Sequence, residues 1–255
     1  MIRRLIILLL IVGCGTEPED CAGVTGGTAV EDNCGVCDGE NENCITDIDG
    51  YWYKTVTLST QLWMAENLKV THYNNGDEIP TGLSSGTDGE WVNTTEGAYA
   101  VYDDDPANAD IYGNLYNWYA VNDERGICPL EWHVPTDEEW TILTDSLAGI
   151  SVAGGKMKEC KEGSCPESDY WDSPNTGATN ESGFTGLPAG SRSNFSGFSS
   201  SMGNSGYFWS SSEGWSSVES DSTVAWNRKL RSYNSKLSRA ASYKNNGLSI
   251  RCIKD

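Results

Sequence analysis

HVPTDEEWTILTDSLAG, His133 to Gly149, is the most strongly patterned run of the chain. Thr136 followed three residues later by Glu139 has the form of a capping box, in which each side chain satisfies the other's backbone N–H. Asp137 and Glu138 put negative charge at the positive end of the helix dipole. Pro135 and Trp140 are placed as a hydrophobic staple. Trp140, Leu143 and Leu147 recur at helical spacing, which predicts one face against a core, and Gly149 ends the helix. SVAGGKMKE (151–159) predicts a short second helix weakened by its glycines.

Outward from this helix the texture is that of strands. GYWYKTVTLSTQLWMAENL (50–68) reads as a strand, a turn and a second strand, rich in Tyr, Trp, Val and Thr. GAYAVYDDD (97–105) and GNLYNWYAV (113–121) read as further strands or buried aromatic segments. After Lys161 the chain is dense in Gly, Ser and Asn yet punctuated by aromatics, which predicts long ordered loops pinned by buried rings. Strands resume at TVAWNRKLR (223–231) and at GLSIRCIKD (247–255). Strands, one strong helix and long pinned loops predict an α+β domain.

Composition narrows the function. The 255 residues are 38% hydrophobic, with ten Trp and twelve Tyr, too aromatic for a disordered chain. The formal net charge is −20. So acidic a chain, with no basic patch interleaved with aromatics, repels phosphate backbones, and nucleic acid is excluded as a partner.

MIRRLIILLLIVGC opens the chain with two arginines and an apolar run, Leu5 to Val12, far shorter than the roughly 20 residues a membrane span needs. That is the layout of a secretory signal. It ends in Ile11-Val12-Gly13-Cys14, which resembles a bacterial lipobox. Residues 1–13 are therefore expected to be a signal peptide and Cys14 a lipidated residue that anchors the chain to a membrane. Gly15 after the cysteine resembles outer-membrane sorting, so the expected place is the outer membrane or cell surface of a Gram-negative-type bacterium.

Residues 14–46 hold Cys21, Cys34, Cys37 and Cys44 but almost no large apolar side chain. Such a segment cannot bury a core and needs staples. Its four cysteines are expected to pair among themselves, in one of three connectivities. DNCGVCDGENENC (32–44) resembles short Asp/Cys-rich repeats that stand between lipoprotein anchors and outer domains, and repeats of that type carry a Cys where this chain has Thr25. The segment reads as a stalk.

Seven runs between 47 and 255 occur in one order: DIDGYWYKTV, QLWMAENLKVTHYNNGDEIP, YDDDPANADIYGNLYNWYAV, RGICPLEWHVPTDEEW, GFTGLPAGSR, YFWSSSE and NNGLSIRCIKD. Together they resemble the Fibrobacter succinogenes major paralogous domain. The resemblance implies a C-type-lectin-like domain near the formylglycine-generating-enzyme type. It would have two helices, a small antiparallel sheet joining the termini and a long loop-rich insertion. It implies no established reaction. Cys128, just ahead of the capped helix, is expected to pair with Cys252 in the closing strand, and Cys160 with its neighbour Cys165. The family pattern puts Phe208 and Trp209 inside the fold.

No catalytic set stands out, and the chain is read as a non-enzyme. A serine hydrolase needs a base beside its nucleophile, but there are only His72 and His133 and no G-x-S-x-G elbow. Asp103, Asp104, Asp105, Asn108 and Asp110 offer hard oxygens over a short, turn-forming span, a place for calcium. Asp38, Glu40 and Glu42 offer a weaker one in the stalk. Aromatic side chains on loops can stack on sugars or pack on a partner. Trp215, Trp226, Tyr233, Arg228 and Arg231 are the ligand-binding candidates, within a tail that also carries Lys229, Lys236, Arg239 and Lys244. The expected function is a binding domain for a glycan or protein. The alternatives are a structural envelope protein with no discrete site and, least favoured, a formylglycine-type enzyme.

Overall fold

The computed structural model describes residues 17–215 and 223–255. The chain divides into two units, Met1–Glu42 and Asn43–Asp255. Cys14 and the expected signal peptide lie outside the described residues.

In the first unit one turn occurs twice. Asp20 Oδ1 accepts from the N–H groups of Ala22 (3.0 Å) and Val24 (2.9 Å), and its Oδ2 from that of Ala29 (3.1 Å). Asp32 repeats this with Cys34 (2.8 Å), Val36 (2.9 Å) and Asn41 (2.9 Å). A carboxylate thus does what a sheet would do elsewhere, closing a turn on backbone donors. The bridges Glu19↔Thr25 and Glu31↔Cys37 are also equivalent, so Thr25 holds in the first copy the place of Cys37 in the second. Cys21–Cys37 links the two copies. Cys34 and Cys44 are disulfide-bonded as well.

The second unit begins with β1 (Cys44–Thr46), β2 (Trp52–Leu58) and β3 (Gln61–Met64). β1 pairs with β2, so the domain's first strand lies ahead of the expected boundary at Asp47. Short elements follow: α1 (Glu90–Asn93), β4 (Tyr99–Ala100), a 3-10 turn at Tyr102–Asp104, α2 (Ala107–Tyr112), β5 (Leu115–Tyr116), α3 (Trp118–Val121) and β6 (Trp132–His133). Next come α4 (Asp137–Ser146) and α5 (Ile150–Met157), the two helices of at least eight residues among those described. β7 (Ala189–Arg192), β8 (Ser199–Met202), β9 (Ser205–Glu213), β10 (Val224–Arg231), β11 (Ser238–Tyr243) and β12 (Ile253–Lys254) complete the chain. The fold is α+β. One sheet runs β1-β2-β3-β12-β6, a second β11-β10-β9-β7-β8, and β4 pairs with β5. Ile253 of the closing strand sits opposite both Trp63 and His133, which joins the two ends of the domain in one sheet.

Two large cores flank these sheets, with a small third around Trp91, and alternation along the strands feeds the two large ones. Phe208, Trp63 and Ile253 belong to one core with Trp140, Leu143 and Phe184. Their chain neighbours Trp209, Met64 and Cys252 belong to the other, with Tyr116, Trp118 and Ile250. Buried indoles hold the loops by their N–H groups: Trp209 donates to Tyr116 O (2.7 Å), Trp140 to Trp209 O (3.2 Å) and Trp171 to Gly186 O (2.9 Å). Both halves of the capping box are formed. The glycines of α5 have a packing reason. A Cβ on Gly154 would lie 2.3 Å from Lys236 O, so only glycine lets the chain before β11 rest on this helix. The bridges Cys128–Cys252 and Cys160–Cys165 are present.

Two cations complete the interior on hydrogen bonds to carbonyl and amide oxygens, with no carboxylate among their acceptors. Arg251, fully buried, donates to Asn67 Oδ1 (2.6 Å), Phe184 O (2.6 Å), Thr185 O (2.9 Å) and Met64 O (3.2 Å), and burial pushes its pKa down to about 9. Lys158 donates to Thr176 O, Arg231 O and Asn234 O at 3.0, 3.0 and 3.1 Å. Each ties segments distant in sequence to one point, which is how a Gly- and Ser-rich insertion stays ordered.

Candidate functional site

The N-terminal hairpin, α2 and the insertion meet around one cavity of about 300 Å3. On β2 the alternation puts Tyr53 into the core and leaves Trp52 partly exposed. The Tyr53 hydroxyl donates to Asp47 (2.6 Å) and accepts from Lys69 N (3.1 Å), which fixes the chain on both sides of the hairpin. Asn67 reaches across to α2: its amide donates to Tyr112 O (2.8 Å) while Arg251 holds its oxygen. Gly113, at φ 71°, lets α2 come this close, because a Cβ there would lie 2.7 Å from Leu68 O. Asp110 and Ile111 are thereby set over the hairpin. Glu159, next to the anchored Lys158, and Tyr170 close the far side, with Thr185 and Leu187 beside them. Tyr170 is held edge-on by the Tyr112 ring at 6.1 Å.

Trp52, Ile111 and Tyr170, 38%, 47% and 36% exposed, are all on this one concavity. Among them stand the carboxylates of Glu66, Asp110 and Glu159 and the ammonium of Lys69. Glu66 Oε2 accepts from Lys54 N (2.7 Å) and Glu159 from the Ser168 hydroxyl. Burial pushes the Glu159 pKa up, against the Ser168 hydrogen bond. Asp110 has no partner among the described residues. Flat apolar rings beside free hydrogen-bond acceptors suit a ligand with one apolar face and several donors.

The residues singled out in the sequence lie elsewhere, apart from Asp110. Trp215 is exposed, at 62%, just beyond β9. Trp226 is half-buried beneath the Arg239 guanidinium, which stands 3.4 Å from its ring centroid. Arg231 donates to the Tyr233 hydroxyl, and Tyr233 is exposed. Arg228 is buried and closed to a ligand: its strand places it opposite Phe208, where it meets Asp137 in the first turn of α4 at 2.7 Å. Burial works against the charge on Asp137, but Arg239 and Arg228 outweigh it and hold its pKa below the usual carboxylate value. Lys244 pairs with Glu213 at 2.6 Å above the Trp118 ring. Much of the basic tail is thus a set of internal clamps.

The Asp103–Asp110 span is also used locally. Asp103 takes a left-handed φ of 54°, Asp104 pairs with Arg192 (2.8 Å), Asp105 accepts from Ala107 N (3.1 Å), and Asn108 donates to Tyr102 O (3.0 Å). In the first unit Asp38 accepts from Val30 N. Among the described residues no three His, Cys, Asp or Glu side chains gather as a metal-binding group. His133 lies between Asp255 (2.6 Å) and Glu139 (3.0 Å), and His72 pairs with Asp49 (2.5 Å).

Trp52, Glu66, Glu159 and Tyr170 were not legible as a site. The only signal was phase: Trp52 falls on the face of β2 opposite the buried Tyr53. A family model described as the Fibrobacter succinogenes major domain matches residues 56–254. No curated protein and no solved structure matches the chain.

Proposed function

The chain belongs to the Fibrobacter succinogenes major domain family, and from that premise we propose that it is a lipid-anchored envelope protein whose domain binds a glycan. The observation that carries this reading is the cavity, where Trp52, Ile111 and Tyr170 stand exposed beside Glu66, Asp110 and Glu159. Sugar rings offer an apolar C–H face to aromatic side chains and hydroxyl donors to carboxylates. The domain is read as C-type-lectin-like, supported by α4 and α5, by the joining of β3 with β12 and by the long insertion. The lipobox-like Ile11-Val12-Gly13-Cys14 supports the anchor and an outer-membrane or cell-surface location. All eight cysteines among the described residues are disulfide-bonded, which favours binding over thiol chemistry of the formylglycine type.

A structural role without a ligand site is the second reading, and the internal pairing of Arg228, Arg239 and Lys244 favours it. A glycan array probed with the detergent-solubilised full chain separates the two. Binding that Trp52→Ala removes supports the cavity. Silence across the array supports the structural role.

A further inference from the structure

Several acidic side chains elsewhere in this molecule are clamped by a cation in direct contact. Asp137 has Arg228 and Arg239, Asp104 has Arg192, Glu213 has Lys244, and Asp123 has Arg125. The cavity departs from that pattern. Glu66, Asp110 and Glu159 line it, and none of them is in direct contact with a cation among the described residues; Arg251 and Lys161 act on Glu66 and Glu159 only at longer range. Lys69, the one cation in the lining, stands 4.8 Å from the centroid of the Tyr51 ring and pairs with no carboxylate. Three carboxylates face one ammonium across a half-enclosed space whose apolar walls screen charge less than water does.

We infer that the ligand is an amino sugar, a pyranose bearing a primary ammonium, in preference to a neutral or acidic one. The inference rests on reading the cavity as a glycan site. An ammonium brings three donors to a place that holds acceptors, and charge-assisted hydrogen bonds are about twice as strong as neutral ones. The faces of Trp52 and Tyr170 attract a cation as well as a C–H face. An acidic sugar meets the opposite sign in the cavity and in a chain of net charge −20. At about 300 Å3 the space lies at the small end of ligand sites, the scale of a sugar unit and not of a polymer segment.

The test is calorimetric titration of the full chain at roughly 150 mM salt, where long-range attraction is screened. The pH is mildly acidic, so that the sugar amine is protonated. The probes are the glucosamine disaccharide, its di-N-acetylated form, cellobiose and a galacturonic acid disaccharide. The free amine is expected to bind about tenfold tighter than the acetylated form, the scale of one hydrogen bond to a charged group, with no binding of the acidic sugar. Asp110→Asn should reduce that ratio toward one. Acetylated or neutral sugar bound as tightly as the amine would overturn the inference, and so would a ratio unchanged in Asp110→Asn, which marks unspecific attraction to the acidic surface. If none of the four binds, or if Trp52→Ala leaves binding intact, the glycan reading of the cavity falls and the inference with it.

Discussion

Replacing Lys158 by Met tests how the loop-rich insertion is held. The side chain is fully buried, and its ammonium has three carbonyl partners and no carboxylate. Methionine keeps the apolar stem and leaves Thr176 O, Arg231 O and Asn234 O without that donor. Hydrogen bonds to a charged group contribute about 1.5–3 kcal/mol each, roughly 4–9 kcal/mol for three. Burial opposes this: it pushes the Lys158 pKa from 10.5 to about 8. Keeping the proton on therefore costs about 3 kcal/mol, at about 1.4 kcal/mol per unit. The difference is a net loss of about 1–6 kcal/mol in Lys158→Met at neutral pH. The same shift fixes a pH signature. The unfolded lysine holds its proton up to about 10.5 and the folded one releases it near 8, so between those values the unfolded state binds more protons. Stability contributed by this site therefore rises with pH across that window and falls again as pH drops through 8. Urea unfolding followed by tryptophan fluorescence, from neutral pH to about pH 10, gives both quantities. The gap between wild type and variant should widen with pH, by at most about 1.4 kcal/mol per unit. Equal stability at neutral pH, or a gap that stays flat across the window, would refute this view of the insertion.

Other consequences are smaller in scope. Removing Cys128–Cys252 as a double alanine variant opens a closure of 124 residues and should cost up to about 4–5 kcal/mol by loop entropy. Equal urea midpoints with and without the bridge would contradict that. Burial lowers the His133 pKa, but hydrogen bonds to Asp255 and Glu139 outweigh it and raise the value above 6.5. The pairing therefore stabilises fully below 6.5 and is lost as pH climbs through the raised value. His133→Gln should cost under about 1 kcal/mol in acid, as for an exposed pair, and nothing in base; the reverse order in pH-resolved melting would be inconsistent with the pairing. Gly154→Ala should destabilise despite alanine's better helix propensity, since its Cβ would come within 2.3 Å of Lys236 O; a raised melting temperature would show that the contact yields.

What the sequence disclosed was local. Thr136 and Glu139 are three residues apart, and their reciprocal bonds form as their spacing requires. Cys160 and Cys165 could reach few other partners. Phe208 and Trp209 read as core through the family resemblance, and the strand they share serves both cores. The resemblance implied the distant Cys128–Cys252 bridge, but the long-range pairing of polar side chains was hidden. Arg228, Lys158 and Arg251 are residue types that ordinarily stay at the surface, and nothing near them in sequence reveals the carbonyls and the carboxylate that hold them inside. The cavity was hidden for the same reason. Trp52 and Tyr170 stand on segments far apart in sequence, brought together by the Tyr53, Asn67 and Arg251 hydrogen bonds. Trp215, one of the ligand-binding candidates read from the sequence, is exposed but does not line that cavity.

The most direct measurement compares two tryptophans. Trp52→Ala and Trp215→Ala each remove a partly or largely exposed indole, so melting temperatures should stay near wild type. Both variants are titrated with the tightest sugar found for the full chain. The cavity reading predicts that Trp52→Ala abolishes binding and Trp215→Ala preserves it. Binding retained in Trp52→Ala and lost in Trp215→Ala would contradict it and move the site to the end of β9.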